Sequence, residues 1–341
     1  MNQQEWQDRM APLIWNQSQK NMLDTASQYT IFTYLIASGF VSGLLNVLFL
    51  AVFAKNYTIL LNPSAIPEIM VILADLGIAG LHPFSGTSAF HGWWVWQIPG
   101  CRLYGLAGYT FGSALLVAIV FVAFDRYIVT TKRLVKYRNY RTYTKILIIL
   151  FIFAAFWGVT PNLGWGRFAR TPVGISCAVD WTDDSVGYYS YMTAYAMLCY
   201  IVPLAIGFVF YVAILKYMSK NPDVPVFWTS SGSRTMTSMG CLFTGYVCFG
   251  GFAVVSLWPF IADVSTIPNA VNALPPLLAK GSGIINPIFY LWMHPLHWNC
   301  LLKMLGKSHD EALLQAAVEM EKVKGGKEPK EEEMLTLQET A

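Results

Sequence analysis

The sequence predicts an all-α membrane protein: a bundle of seven transmembrane helices followed by a short amphipathic eighth helix. Three observations carry that expectation. Of the 341 residues, 13% are charged and 55% hydrophobic, where a soluble domain carries about 25% and 45–50%. Seven segments are apolar over the roughly 20 residues that a helix needs to cross a hydrocarbon core about 30 Å thick. None of them alternates with period two, so helices rather than a barrel must satisfy the backbone in lipid. The same composition argues against a soluble enzyme, a disordered chain and a nucleic-acid binder. A net charge of +3 is too small and too scattered to form a phosphate-binding stripe.

The seven segments fall at about 29–53, 65–90, 103–124, 145–165, 188–217, 236–261 and 269–293. Between the third and fourth lie Arg126, Lys132, Arg133, Lys136, Arg138 and Arg141, and after the fifth come Lys216, Lys220 and Arg234. The opposite side carries Asp180, Asp183, Asp184 and Asp263, with Arg167 and Arg170 as its basic exceptions. Positive residues stay inside, which puts the amino terminus outside and the carboxyl terminus in the cytoplasm. The chain thus divides into an extracellular segment (1–28), the bundle (29–293), a cytoplasmic amphipathic helix (294–306) and a charged tail (307–341). The first 28 residues are polar and lack the apolar core of a cleavable signal. Asn16-Gln17-Ser18 is a glycosylation acceptor on the outer side, whereas Asn56-Tyr57-Thr58 falls in a cytoplasmic loop and is expected to stay bare. Residues 297–305 (HWNCLLKML) read as a helix lying on the inner membrane face.

Six cysteines show no CxxC and no Cys/His spacing suited to zinc. Cys199, Cys241, Cys248 and Cys300 sit on apolar stretches and read as small core hydrophobes. Cys101 and Cys177 both fall on the outer, oxidising side, where a bridge would tie the loop before span five over the mouth of the bundle.

A charge near the bilayer centre costs about 2.5–3.5 kcal/mol even on the lenient insertion scale, so each one is a functional candidate. Two stand out, Asp75 in span two and Lys280 in span seven. Lys280 lies midway along its span, too deep to snorkel comfortably. It reads either as half of a buried ion pair with Asp75 or as a desolvated amine free to condense with an aldehyde.

The surrounding motifs decide between these readings. Asn286-Pro287-Ile288-Phe289-Tyr290 follows Lys280, Asp125-Arg126-Tyr127 closes span three, and Leu73-Ala74-Asp75 sits in span two. Asn46, Trp157 and Pro203 mark spans one, four and five. In this order, over roughly residues 30 to 305, the chain resembles the rhodopsin-like G-protein-coupled receptors. A lysine six residues before the asparagine of NPxxY narrows the resemblance to the opsins, which carry retinal on that lysine as a Schiff base. The likeness extends to the Arg167–Asp180 loop pair and to an activation network of Asn46, Asp75, Asp125, Arg126, Tyr127, Tyr211, Asn286, Pro287 and Tyr290. By resemblance, Tyr104, Tyr109, Gly112, Thr171, Tyr200, Phe249 and Phe252 line the retinal pocket beside Lys280. Gly112 stands out among them, because a side chain there would meet the ring.

Within the opsins, Leu163-Gly164-Trp165-Gly166, Gly174-Ile175-Ser176-Cys177 and Ile261-Ala262-Asp263-Val264 resemble the retinochrome, peropsin and retinal-pigment-epithelium group. Several members of that group convert all-trans to 11-cis retinal. The resemblance therefore implies a photoisomerase, with membrane lipid around it and a G protein or a retinal-carrier protein as partner. The competing readings are a light-activated receptor that signals to a G protein and a receptor for a diffusible ligand. In span six the toggle tryptophan is replaced by Phe249 and the kink proline by Gly251, and the cytoplasmic stretch offers only Asp223 and Arg234, which weakens signalling. The intact Asp125-Arg126-Tyr127 argues the other way. His294 and His297 form an isolated pair, and no metal is expected.

The two positions at which opsins place a counterion carboxylate hold Tyr104 and Thr171, and His82 is a polar neighbour on span two. Without an acid, the Schiff base is expected to be neutral and to absorb in the ultraviolet. Titrating the absorbance maximum of the purified retinal complex checks this, and a visible band stable at pH 8 without halide contradicts it.

Overall fold

The computed structural model describes residues 23–131, 134–221, 230–263, 266–267 and 269–315. Asn16, Lys132, Arg133, Asp223, most of the extracellular segment and the tail after residue 315 lie outside the described residues.

Span one is a single helix, Thr25–Lys55, whose first turn is capped by the Asp24 carboxylate accepting from the Ser27 N–H. Span two is two helices, Ala65–Ala79 and His82–His91, and not the unbroken run expected from its hydropathy. Pro83 has no N–H for the Ala79 carbonyl. The His82 ring fills that gap, its Nδ1 lying 3.1 Å from the carbonyl oxygens of both Ile78 and Ala79. Span three, Gln97–Thr131, runs well past the apolar stretch, so Asp125-Arg126-Tyr127 lies inside the helix and not at its end. Span four is Tyr140–Val159, capped by Asn139 and closed by a 3₁₀ turn, Thr160–Leu163.

Span five begins as Val186–Tyr195 under a Ser185 cap, widens into a π-helical turn at Ala196–Ile201, and continues as Val202–Lys220. The wide turn comes just before Pro203, which cannot donate into an α-helical ladder. In span seven the order is reversed: Asn269–Ile288 contains Pro287 and then passes into a π-turn, Phe289–Met293. Span six, Ser230–Leu257, is one helix through Gly250-Gly251. Pro295–Met304 forms the eighth helix. There Cys300 is buried, and burial pushes its thiol up to about 11, which leaves it unreactive.

Among the described residues, six helical stretches are long and apolar enough to cross a membrane. The seventh is more polar, carrying Lys280, Ser282 and Asn286, and packs against spans one, two and six. Large side chains such as Phe40, Phe208 and Phe243 are 65–72% exposed, as a lipid-facing surface requires.

Span three is the axis, packed on spans two, four, five and six and on the outer hairpin. That hairpin pairs β1 (Phe168–Arg170) with antiparallel β2 (Cys177–Val179), with Arg170 opposite Cys177. The Cys101–Cys177 disulfide joins β2 to the head of span three across 76 residues. Spans three and four nearly touch at Gly158, where a Cβ would come within 2.4 Å of the Leu106 carbonyl oxygen. Backbone cannot yield as a flexible side chain can, so Gly158→Ala forces the helices apart at a cost of about 1–3 kcal/mol. A lower apparent melting temperature in detergent is the expected reading, and an unchanged one contradicts the contact.

Candidate chromophore pocket

Span seven carries Lys280 into the outer half of the bundle, with Pro276 one turn before it on the same face. The lysine is buried, and its Nζ lies 2.6 Å from the Tyr104 hydroxyl of span three. That hydroxyl is in turn 2.7 Å from Ser85 Oγ of span two. A three-member polar chain therefore holds the amine, contributed by three different helices. Asp75 is engaged elsewhere: its Oδ2 accepts from Asn286 Nδ2 at 2.9 Å. The ion-pair alternative for Lys280 is thus not what the structure holds.

Beside the amine opens a cavity lined mostly by apolar groups, with about 90 Å³ open to the centre of a water-sized sphere. Its wall includes Lys280, Tyr104, Tyr109, Gly112, Thr171, Phe249 and Phe252. Tyr200 is not in this wall. It donates to the Tyr246 carbonyl at 2.8 Å and borders an adjoining void behind Phe249 and Phe252. The π-turn carries Tyr200 onto span six, a displacement that helical counting from Pro203 does not anticipate.

The remaining wall was missed in the sequence. The Tyr195 ring packs tilted against that of Tyr109, centroids 5.0 Å apart, and its hydroxyl accepts from Ser113 Oγ. Ser176, Cys177 and Ala178 of the hairpin close the cavity from outside. Gly105 and Gly108 join Gly112 on span three. Spaced three and four apart, these glycines make a smooth stripe along one helical face, a signal that was present in the sequence. Gly105 has a second duty, since a Cβ there would meet the Phe168 ring at 2.4 Å. The hairpin is therefore seated directly on the stripe.

Arg167 and Asp180 pair at 2.8 Å beside the hairpin, and Arg167 also reaches Asp183 at 3.6 Å. The Asp180 carboxylate also accepts from Thr182, both N–H and hydroxyl. Burial lowers the neighbouring Arg170 below the usual guanidinium value.

Further toward the predicted cytoplasmic side, Asn46 Nδ2 donates to the Ser42 and Gly283 carbonyls, both at 2.8 Å. Asp125 pairs with Arg126 and accepts from Ser64 Oγ and the Tyr143 hydroxyl, each at 2.8 Å. Arg138 adds a longer contact to Asp125 at 3.7 Å. Tyr127 stacks on Phe210, and Tyr211 and Tyr290 are buried in the core around spans three, five, six and seven. His297 of the eighth helix stacks on Phe49 and lies 3.8 Å from Glu68, a contact that no sequence pattern announced.

Chemically, the site presents one buried amine at the edge of an aromatic, apolar slot. Such a slot fits a long apolar aldehyde, which the amine can hold covalently while the walls align it. The polar chain at Tyr104 and Ser85 orients the nitrogen.

Comparison with known proteins follows the same line. The sequence profile described as "7 transmembrane receptor (rhodopsin family)" matches residues 45–290. The visual pigment-like receptor peropsin of Mus musculus is 26% identical over 297 residues, covering 85% of this chain and 88% of peropsin. The RPE-retinal G protein-coupled receptor of Bos taurus is 28% identical, covering 76% of this chain and 87% of its own. Squid rhodopsin superposes with a TM-score of 0.78 at 19% identity, over 88% of this chain and 93% of that one, which establishes the fold.

Gly112 tests the slot. A Cβ there already comes 3.2 Å from Phe249, so Gly112→Leu fills the cavity beside that ring. Retinal uptake by the purified variant, read from absorbance, should fall at least roughly tenfold, the order of an overpacked contact. Wild-type uptake would remove Gly112 from the pocket.

Proposed function

Because the chain belongs to the opsins of the rhodopsin-like seven-transmembrane receptor family, and is therefore an integral multi-pass membrane protein, we propose that it carries retinal on Lys280 and works as a photoisomerase. In this reading all-trans retinal is converted to 11-cis. The single observation behind it is the buried Lys280 amine at the edge of an apolar slot, hydrogen-bonded to Tyr104 and not neutralised by Asp75.

When attached through a Schiff base, retinal supplies the light absorption and the double bond that turns. Everything else belongs to the chain. Tyr104 and Ser85 fix the nitrogen, and Tyr109, Phe249 and Phe252 flank the slot so that rotation is confined. The glycine stripe leaves room along span three, and the disulfide-tied hairpin keeps bulk water out. Tyr104 and Thr171 occupy the two usual counterion positions without supplying an acid, which supports the neutral linkage expected above.

Span six favours isomerisation over signalling. Its helix continues through Gly250-Gly251 without a proline to direct an outward swing. A specific observation supports the second reading, a receptor that activates a G protein. Asp125 and Arg126 form a complete inner network with Ser64, Tyr143 and Arg138, of the kind that a switching receptor needs and an isomerase does not. In both readings the amino terminus faces outward and the tail faces the cytoplasm, with a G protein or a retinal-carrier protein as the soluble partner.

Borohydride reduction followed by mass spectrometry should leave a retinyl group on Lys280, and Lys280→Ala should abolish it. Extraction of retinal before and after irradiation should then show a net rise in the 11-cis isomer. A parallel nucleotide-exchange assay separates the two readings: light-dependent exchange without net 11-cis production overturns the isomerase.

A further inference from the structure

A second, smaller chamber lies against Lys280, between spans one, two and seven and the turn of the hairpin. Its polar lining is Ser85, Thr171, Ser176, Asn272 and Lys280. About 10 Å³ is open to the centre of a water-sized sphere, close to what a single water requires.

Asn272 is the residue that needs explaining. It is 2% exposed, and its Nδ2 donates to the Ile267 carbonyl at 3.3 Å. Its Oδ1 is buried without a hydrogen-bond partner among the described residues. Buried acceptors are nearly always satisfied, by protein or by ordered water. The main-chain carbonyl of Asn272 also lacks its usual helical donor, because the residue four positions on is Pro276, which has no N–H. Opposite, Thr171 Oγ1 and Ser176 Oγ lie 3.1 Å apart, and Ser85 Oγ joins the chamber to Tyr104 and Lys280.

We propose that this chamber is a water-binding site in which Asn272 positions one water beside the Lys280 amine, and that this water is the one released on retinal attachment and consumed on its hydrolysis. The proposal rests on the retinal reading above. Water fits because the orphaned groups on Asn272 are acceptors and need a donor, which a halide cannot be. The hydroxyls of Ser85, Thr171 and Ser176 can give or take a hydrogen bond and complete the shell. The chemistry balances without any further reactant. Condensation of R–CHO with H₂N–Lys gives R–CH=N–Lys and H₂O, the carbonyl oxygen leaving with both amine hydrogens. Hydrolysis reverses it: the water oxygen goes to the carbonyl carbon and both hydrogens return to nitrogen. One positioned water thus serves both directions. Its loss slows both and leaves their ratio unchanged.

The test uses the full chain in lipid nanodiscs. Asn272→Leu keeps the branched shape and removes the acceptor, Asn272→Ser restores one, and Ser176→Ala removes a chamber hydroxyl without altering span seven. Attachment and dark release of retinal are followed by acid-trapped absorbance. Asn272→Leu should slow both by roughly tenfold, the worth of one hydrogen bond, with the final extent and the absorbance maximum unchanged. Asn272→Ser should be near wild type, and Ser176→Ala should slow both directions. Unchanged rates, slowing of one direction alone, or an absorbance maximum that moves when chloride is exchanged for bromide overturn the proposal; the last would make the chamber an anion site. Reductive methylation of Lys280 with formaldehyde and cyanoborohydride, on retinal-free protein, gives an independent reading by mass spectrometry, and Asn272→Leu should slow it too. If wild-type protein attaches no retinal, the retinal reading fails, while the methylation rates still decide the water site.

Discussion

An amine held in the middle of a membrane protein is the constraint on which the rest of this structure depends. Placing Lys280 there costs a few kcal/mol of insertion free energy, and the fold answers with a hydroxyl from each of two other helices. Tyr104 meets the nitrogen and Ser85 meets Tyr104. That arrangement requires spans two, three and seven to converge on one point. Asp75, the other ionisable group singled out inside the spans, accepts from Asn286 instead. An ion pair between the two would have neutralised the amine and closed the slot.

Span three makes the convergence feasible. Its outer half is a stripe of glycines that yields space to the cavity and seats the hairpin, and its inner half is a nearly continuous buried apolar wall. The Cys101–Cys177 bridge anchors the hairpin at the top of the same helix. Beneath the pocket the same helix carries Asp125 and its network, so one element links the slot to the opposite end of the bundle. One turn below Lys280, Gly283 takes a hydrogen bond from Asn46 and leaves room for Ser42, where a Cβ would come within 2.6 Å of the serine oxygen.

Much of this was legible in the residues. Hydropathy located the helices, because lipid tolerates only backbone that satisfies itself. Lys280 was legible because a charge in an apolar run is costly, and the cysteine pair because the basic loops put both members on the side expected to be oxidising. Breaks and offsets were not legible. Span two divides at Pro83, and the His82 ring takes up the freed carbonyls. The π-turn before Pro203 moves Tyr200 out of the cavity. Both depend on how a local backbone defect is repaired by neighbours distant in sequence.

Composition and spacing alone therefore determined the class of the molecule and the number of its spans, and singled out Lys280 as an amine inside an apolar run, since each follows from the cost of polarity in lipid, which is paid residue by residue. Only the tertiary structure decided what the amine touches, which aromatics form the wall and where a buried acceptor such as Asn272 is left unmatched. Those are distances between helices, set by glycine contacts, proline repairs and a disulfide acting together, and no single stretch of chain contains them.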